Sequence, residues 1–483
     1  MITVIGLGIE RGDISRRGEE YILDAANEGK KIVVRTANTR SYQTVVDLGV
    51  EHVCLDYVYQ KSRSFSTLSK NLAKAVCQFG EDAVYLVDGC ASEDYSVKAL
   101  HKRLRGKLQY IDGVSKVSHI AARVNFSTCS YTAVSAYELQ EKIESDGLSL
   151  PLIVYDLDDR ALCSDCKLLL GELFGEEILC QYVCGEKATK IPLYALDRQR
   201  QYNYSSAVAI ERQGLLEKQR FTLHDLRGIV VKLRKPDGCP WDKVQTNESI
   251  KMSAVEESYE LVDAIDSGDD DKILEETGDI LLQVVFHGVL KEETGAFTLT
   301  DVLTGICKKL ISRHTHVFGN DKAKDDTSAL NVWEKNKMQE KHQTTYADAV
   351  NDVPKCFPAV MRAQKVGKRA GKAGMDFACI EDAKIRLQEE LNEFSIALLS
   401  KDKEQTEKEF GDVLFSAVNV GRLAGCDCEK ALKESVERFA KRFTLAEQKA
   451  IADGKEVTKL TAKEWDKYYL SAKKELKDED EKR

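Results

Sequence analysis

The sequence predicts a multidomain chain in which an α/β amino-terminal domain is followed by two all-α helical-bundle repeats. Up to about residue 198, short β-branched runs alternate with helical stretches, and strands are expected at Ile2–Leu7, Lys31–Arg35, Ala83–Val87 and Leu152–Tyr155. From about Phe221 the pattern becomes helical, with amphipathic stretches rich in Glu and Lys. A chain of 483 residues is also too long for one core, because domains average roughly 150 residues.

The domain boundaries follow from these changes of pattern. We expect the α/β domain at residues 1–198, a polar linker at 199–220, and the helical repeats at 221–345 and 355–474. The last residues, 475–483, alternate Lys with Asp and Glu and predict a charged, solvated tail.

Composition excludes several classes of protein. A net charge of −9 argues against a nucleic-acid binder, which would carry a basic stripe. No apolar run reaches the ~20 residues that span a bilayer, so we expect no membrane partner. The amino terminus lacks the basic start and the cleavage site of a secretory signal, which predicts a cytoplasmic protein.

The fourteen cysteines are expected to be reduced thiols rather than disulfides. One arrangement is suggestive of zinc: Cys163 and Cys166, followed by Cys180 and Cys184. The second pair lies in a strand-like run that would separate the two residues by ~13 Å, which argues against a zinc site.

The helical half carries an internal repeat of acidic residues. In the first copy Glu256, Glu257 and Glu260 are followed by Glu276 and Asp279; in the second, Glu389, Glu390 and Glu393 are followed by Glu409 and Asp412. Glu260 and Glu276 are 16 residues apart, as are Glu393 and Glu409. The equal spacing indicates that both copies build the same structure.

Helical geometry predicts that each copy forms a patch of four carboxylates. Residues three apart share a helix face, and turn-forming residues around Gly268 and Lys401 lie midway between the two acidic pairs. If the chain reverses there, two antiparallel helices present four acids together. Apolar neighbours at helical spacing, such as Leu274, Leu281 and Val284, are expected to form a core seam beside the patch.

Four adjacent carboxylates repel one another unless a cation is present, and oxygen ligands beside phosphates favour Mg²⁺. Two other interpretations exist. Isolated Glu-x-x-Glu patterns are usually solvated helix faces, but the repeat with equal gaps argues against that. A di-iron carboxylate bundle normally has Glu-x-x-His on its helices, and no such histidine follows these acids.

These motifs resemble the MazG family of nucleoside triphosphate pyrophosphohydrolases, whose signature is Glu-Glu-x-x-Glu followed after a turn by Glu-x-x-Asp. The first copy also has the flanking segment Leu233–Thr246, whose core Gly-Cys-Pro-Trp-Asp is typical of the family. The resemblance covers about Phe221 to Lys474 and includes both repeats.

The resemblance implies an enzyme that cuts nucleoside triphosphates, ribo or deoxyribo, to monophosphate and pyrophosphate. It implies a Mg²⁺ cofactor, with Mn²⁺ able to substitute, and a homodimer. The implied metal ligands are Glu257, Glu260, Glu276 and Asp279 in the first copy, and Glu390, Glu393, Glu409 and Asp412 in the second. The implied catalytic acids are those of the first helix in each copy, namely Glu256, Glu257, Glu260, Glu389, Glu390 and Glu393.

Basic and aromatic residues in both copies are candidates for holding the substrate, because cations neutralise phosphates and rings stack on bases. In the first copy these are Arg313, His316, Trp333 and Lys337; in the second they are Arg386, Arg438, Lys441, Arg442, Tyr469 and Lys473. The second copy carries more permanent charge, because the first has histidine where the second has Lys and Arg, and histidine as a residue type is less charged at neutral pH. We therefore expect the second copy to carry most of the turnover.

The amino-terminal segment resembles the tetrapyrrole methylase fold, as found fused to MazG in YabN-type proteins. The resemblance rests on Val4–Asp13, Gly113–Ser115 and Ile191–Arg198, and it implies cofactor-binding glycines at Gly6, Gly8 and Gly89. Where such methylases carry Gly-Pro-Gly, this chain has Gly-Ile-Glu-Arg-Gly. We therefore do not expect S-adenosylmethionine to be its cofactor. Methyl transfer and ligand sensing by this domain remain the alternatives to hydrolysis.

Overall fold

The computed structural model describes residues 1–62, 64–124, 126–340 and 345–480. The chain divides into two compact units, Met1–Leu299 and Thr300–Arg483, so the division falls inside the segment that we expected to be the first repeat.

The first unit begins with a parallel sheet that is covered by helices. Its strands are β1 (Ile2–Gly6), β2 (Ile32–Val34), β3 (His52–Cys54), β4 (Val84–Val87) and β5 (Leu108–Ile111), in the order β3-β2-β4-β1-β5. The helices that connect them are α1 (Arg16–Asn27), α2 (Tyr42–Asp47), α3 (Asp56–Lys61), α4 (Phe65–Val76) and α5 (Tyr95–Arg103). Because β1 and β4 are central, their carboxyl ends meet in the middle of one sheet edge.

A second, mixed sheet completes the α/β domain. Its strands are β6 (Thr132–Ser135), β7 (Leu152–Tyr155), β8 (Leu179–Cys184), β9 (Lys187–Pro192) and β10 (Ala207–Ile210), in the order β6-β7-β10-β8-β9. Its helices are α6 (Lys116–Val124), α7 (Leu139–Asp146) and α8 (Arg160–Phe174). Strand β10 is fully buried between β7 and β8, although it lies in the segment 199–220 for which we expected a linker. The four apolar residues of β10 stand among polar neighbours, and so short an apolar run did not predict a strand.

The remainder of the first unit is helical. Helix α9 (Leu223–Leu233) begins with a capping box between Thr222 and Asp225, and α10 (Ser253–Ser267) and α11 (Asp270–Glu293) follow. The expected core seam on these helices is not buried, since Leu274 is 75% exposed and Leu281 and Val284 are also exposed. Two helices of a hairpin cover only one face of each other, so this apolar surface remains open.

The second unit is entirely helical in its described part. Its helices are α12 (Leu299–Arg313), which begins at the division, α13 (Thr315–Phe318), α14 (Asp326–Glu340), α15 (Tyr346–Asn351), α16 (Ala359–Lys372), α17 (Ile380–Ser400), α18 (Lys403–Leu423), α19 (Cys428–Ala452) and α20 (Ala462–Asp480). Residues 475–480 of the expected tail continue α20, because Lys and Glu favour helix; residues 481–483 lie outside the described part.

In the described part of the chain we find no helix whose length and apolar character would let it span a membrane.

Candidate metal and nucleotide site

The first acidic motif lies on an antiparallel helical hairpin, as the spacing predicted. Helix α10 ends at Gly268, whose left-handed backbone (φ +69°) reverses the chain. Asp269 then caps α11 by accepting hydrogen bonds from the amides of Asp271 and Lys272, at 3.2 and 3.3 Å. The turn therefore sets the two helices in the register that brings their acids together.

Three acids of this hairpin form a compact cluster. Carboxylate oxygens of Glu257, Glu260 and Glu276 lie within 4.8 Å of one another. Loss of solvent and the neighbouring acid charges raise the pKa of Glu257 and of Glu276. Asp279, the fourth predicted ligand, is close enough for its charge to contribute to both shifts. Among the described residues, no cation pairs with any of these four acids.

The cluster fits a hard divalent cation. The Oε2 atom of Glu276 is enclosed and has no hydrogen-bond partner among the described residues. An enclosed carboxylate oxygen without a donor is costly unless a cation satisfies it. Oxygen atoms within 4.8 Å of one another are also near the ~4.2 Å that separates opposite ligands of an ion with bonds of about 2.1 Å. The donor type, the spacing of the oxygens and the unsatisfied charge therefore all favour a hard divalent cation.

The second hairpin has the same design with one different residue at the turn. Helix α17 ends at Lys401, which has a left-handed backbone (φ +58°) where the first hairpin has glycine. Asp402 caps α18 by accepting hydrogen bonds from the amides of Glu404 and Gln405, at 3.0 and 3.2 Å. Residues 268 and 401 occupy equivalent positions, because the two copies are offset by 133 residues throughout the motif.

The acids of the second hairpin also cluster, but they have basic partners. Carboxylate oxygens of Glu390, Glu393 and Glu409 lie within 4.8 Å of one another, and Glu390 and Glu409 are buried. The guanidinium of Arg386 lies 2.6 Å from Glu390, 2.9 Å from Glu389 and 4.0 Å from Glu393. Lys408 lies 3.1 Å from Glu409, and its pKa is raised by that hydrogen bond and by the charge of Glu409.

The remaining predicted acids lie at the edges of the two clusters. Glu256 and Glu389 precede the clustered acids on their helices and are exposed. Asp412 is half-buried, and its charge acts on Lys408. Sequence reasoning assigned Arg386 to substrate phosphate, whereas its partners in this structure are the acids themselves.

A large cavity adjoins the second cluster. It measures about 750 Å³, within the ~300–1,000 Å³ typical of small-molecule sites. Arg386 and Glu390 line it, together with apolar and aromatic residues that include Phe377 and Phe415. Asn419 and the ion pair between Arg422 and Asp376 supply polar groups. This cavity could not be predicted from local patterns, because its lining comes from four separate helices and the loop between α16 and α17.

The predicted substrate-binding residues of the first copy come together in the second unit. Arg313 is buried, pairs with Glu340 at 2.8 Å, and lies 5.3 Å from the ring centroid of Trp333. Lys337 lies 5.0 Å from the same centroid. The Nδ1 atom of His316 is enclosed without a hydrogen-bond partner in the described part of the chain. The Trp333 ring is thus held by two cations.

The corresponding residues of the second copy divide into an exposed and a packed group. Arg438 and Lys441 are exposed on α19, and Arg438 pairs with Glu434 at 3.6 Å. Arg442 is half-buried on the same helix, and Lys473 is exposed on α20. Tyr469 packs against Phe439, with ring centroids 5.8 Å apart, and Trp465 stacks on Phe443 at 5.2 Å. These contacts give the α20 rings a packing role.

The glycines predicted to bind a cofactor are explained by close backbone packing. A Cβ atom on Gly6 would lie 2.4 Å from the carbonyl oxygen of Gly89, and one on Gly8 would lie 2.1 Å from the Cβ of Asp13. Asp13 also accepts hydrogen bonds from the amides of Ile9 and Glu10, at 3.1 and 2.8 Å. The loop amides are therefore already bonded within the protein.

Beside this loop lies a charged cleft that sequence reasoning missed. Asp88 is buried and pairs with Arg35, which also lies 2.6 Å from Asp94; Lys116 lies 2.6 Å from Asp156. Arg35 and Lys116 lower the pKa of Asp88 despite its burial. The available signal was the position of Arg35 and Asp88 directly after strands β2 and β4.

The cleft does not fit S-adenosylmethionine. Its cavity measures about 220 Å³, less than the ~300–1,000 Å³ of sites that enclose a drug-sized ligand, and charged pairs occupy its walls. The loop amides that would approach a cofactor are bonded elsewhere.

Comparison with known proteins identifies the class. The profile of the MazG nucleotide pyrophosphohydrolase domain matches residues 245–318 and 380–444. The nucleoside triphosphate pyrophosphohydrolase/pyrophosphatase MazG of Thermotoga maritima is 39% identical over 249 residues, which are 52% of this chain and 94% of its own. The chain therefore belongs to the MazG family.

Similarity also extends over the whole chain. The uncharacterized protein YabN of Bacillus subtilis is 32% identical over an alignment of 496 positions, which covers 98% of each chain. A solved uroporphyrin-III-C-methyltransferase from Thermus thermophilus matches 44% of this chain and 91% of its own, at 13% identity and a TM-score of 0.31.

Proposed function

We propose that this protein hydrolyses nucleoside triphosphates to nucleoside monophosphates and pyrophosphate with the help of Mg²⁺, and thereby removes damaged or surplus nucleotides. The observation that carries the proposal is the pair of equally built carboxylate clusters, each with three acids within 4.8 Å. Membership of the MazG family supports the reaction, and relatives from Thermotoga maritima and Escherichia coli are named for it.

The residues divide the chemistry between them. In the second copy Glu390, Glu393, Glu409 and Asp412 would hold Mg²⁺, which supplies Lewis-acid polarisation of a phosphoryl oxygen when bound. Exposed Glu389 is the candidate to accept the proton of the attacking water. The water oxygen bonds to phosphorus, the α–β anhydride bond breaks, and pyrophosphate leaves with its electron pair.

The second copy is our choice for most of the turnover. Its clustered acids adjoin a cavity of about 750 Å³ whose aromatic and amide groups suit a nucleoside. Helix α19 also carries three basic residues within five positions, and they can neutralise phosphate charge: Arg438, Lys441 and Arg442.

Incubating the full-length protein with individual nucleoside triphosphates and Mg²⁺ tests the proposal. Chromatography should detect equal amounts of monophosphate and pyrophosphate. Release of diphosphate and inorganic phosphate instead would reject cleavage between the α- and β-phosphates, and no consumption of any nucleotide would reject the enzyme itself.

A second candidate function, ligand sensing, belongs to the α/β domain. The observation in its favour is the charged cleft, where the hydroxyl group of Tyr59 and the Nε of Arg35 are enclosed without hydrogen-bond partners among the described residues. Isothermal titration with S-adenosylmethionine separates sensing from methyl transfer. We expect no heat of binding, and micromolar affinity would revive the methylase interpretation.

A further inference from the structure

The two acidic clusters differ at two equivalent positions. Where the second copy has Arg386 and Lys408, the first has Ser253 and Glu275, each 133 residues earlier. The five signature acids have the same spacing in both copies. Arg386 and Ser253 therefore occupy equivalent positions on their hairpins, as do Lys408 and Glu275. One cluster therefore gains two positive charges, and the other gains one negative charge.

The structure shows what these differences do. Arg386 lies 2.6 Å from Glu390 and Lys408 lies 3.1 Å from Glu409, so both buried acids of the second cluster have an internal counter-ion. In the first cluster the Oε2 of Glu276 has no hydrogen-bond partner among the residues that the structure describes, and the charge of Glu275 adds to the repulsion that Glu276 experiences. A divalent cation entering the second cluster competes with resident cations, whereas one entering the first relieves repulsion.

We propose that the two clusters fill with divalent cation in a fixed order, the first-copy cluster at lower concentration, because Arg386 and Lys408 must be displaced from the second. This inference rests on the proposed metal-dependent function. Arg386 then changes its partner when the second site fills. It pairs with the acids when the cation is absent, and with an anion when the cation is bound. Its side chain is 45% exposed, which leaves it room to move.

The test is a titration of the full-length protein with Mn²⁺ in the absence of nucleotide. Electron paramagnetic resonance of free Mn²⁺ should resolve two classes of site whose dissociation constants differ roughly tenfold, the scale expected for breaking two ion pairs whose cations are exposed to solvent. Glu260→Gln should abolish the tighter class, and Glu393→Gln the weaker one. No nucleotide turnover enters the measurement.

Reciprocal exchanges assign the cause. Arg386→Ser with Lys408→Glu should strengthen the weaker site until the two classes merge, and Ser253→Arg with Glu275→Lys should weaken the tighter site. The matched control is Lys384→Ser with Lys403→Glu, on the same two helices. It changes the net charge equally and should leave the two classes apart, because neither lysine pairs with a clustered acid.

Different outcomes overturn different statements. Two sites of equal affinity in the natural protein, or loss of the tighter class in Glu393→Gln, would overturn the filling order and leave the proposed function standing. An effect of the control exchange as large as that of Arg386→Ser with Lys408→Glu would overturn the role of the ion pairs. No Mn²⁺ binding at all would overturn the proposed metal-dependent function as well.

Discussion

Gly8 and Gly89 donate backbone hydrogen bonds to each other's carbonyl oxygens, at 3.2 and 2.8 Å. The bridge ties the loop after β1 to the loop after β4, and Gly6 fits beneath it. The glycines at the start of the chain thus hold two loops of the α/β domain together.

Gly6→Ala should destabilise the α/β domain by about 3 kcal/mol, because the new methyl group would lie 2.4 Å from a backbone oxygen that cannot move aside. Calorimetry of the full-length protein should show the α/β transition at lower temperature. The control is Gly228→Ala in α9, where a Cβ meets nothing within 4 Å and alanine favours the helix. An unchanged transition in Gly6→Ala would refute the packing explanation.

Glu393→Gln should lower nucleotide hydrolysis by orders of magnitude, while Glu260→Gln should leave much of it. Loss of a ligand weakens both cation binding and the stabilisation of transition-state charge, and we assign most turnover to the second copy. Steady-state pyrophosphate release measures both variants. The opposite ranking would assign turnover to the first copy and contradict our argument from Arg438, Lys441 and Arg442.

Chelation should abolish hydrolysis, because the clustered acids repel both one another and the triphosphate when no cation is present. Readdition of Mg²⁺ should restore activity, and Mn²⁺ should substitute for it. Ca²⁺ should bind without good turnover, since it tolerates looser geometry. Full activity in excess chelator would exclude a metal-dependent reaction.

The protein should be a homodimer, because its hairpins leave large apolar side chains in solvent, among them Leu274 at 75% and Leu399 at 83% exposure. Light scattering should give twice the chain mass. Leu274→Lys should shift the protein toward monomer, whereas Leu216→Lys, at a fully exposed position outside the helices, should not. A fully active monomer would show that one chain suffices.

Acid should destabilise the α/β domain through His119. Burial and the charge of Arg123 lower its pKa, so the unfolded chain binds a proton more readily than the folded one. The stabilisation is complete above about pH 6.5, the pKa of histidine in an unfolded chain, and is lost as the pH falls below that value through the lower pKa of the folded state. The melting temperature of His119→Gln should therefore depend less on pH between 7 and 5. His224→Gln, at an exposed position on α9, should follow the natural protein.

Local spacing made the hairpins predictable. Glu257 and Glu260 share a face, Gly268 marks the turn, and Glu276 follows at a fixed distance, so neighbours along the chain determine the geometry. The same reasoning found β1, β2, β4 and β7, whose apolar runs are continuous.

Pairings between distant segments escaped prediction. Strand β10 completes the second sheet, but its register depends on β7 and β8, more than twenty residues away. Arg35 contacts Asp88 only because the parallel neighbours β2 and β4 end at one edge of the sheet. For Arg386 the charge and the helix could be predicted but the partner could not, since a guanidinium binds both carboxylates and phosphates.

The single left-handed residue at each helical turn makes the site sensitive to chain length. Between Glu260 and Glu276 the chain contains two helix ends and only the turn around Gly268. One residue inserted within α11 before Glu276 would rotate every later side chain by about 100°, and would carry Glu276 and Asp279 off the shared face without altering either acid. The number of residues between the acids is therefore as important to the site as the acids themselves. An insertion there has the same effect as deleting two ligands at once.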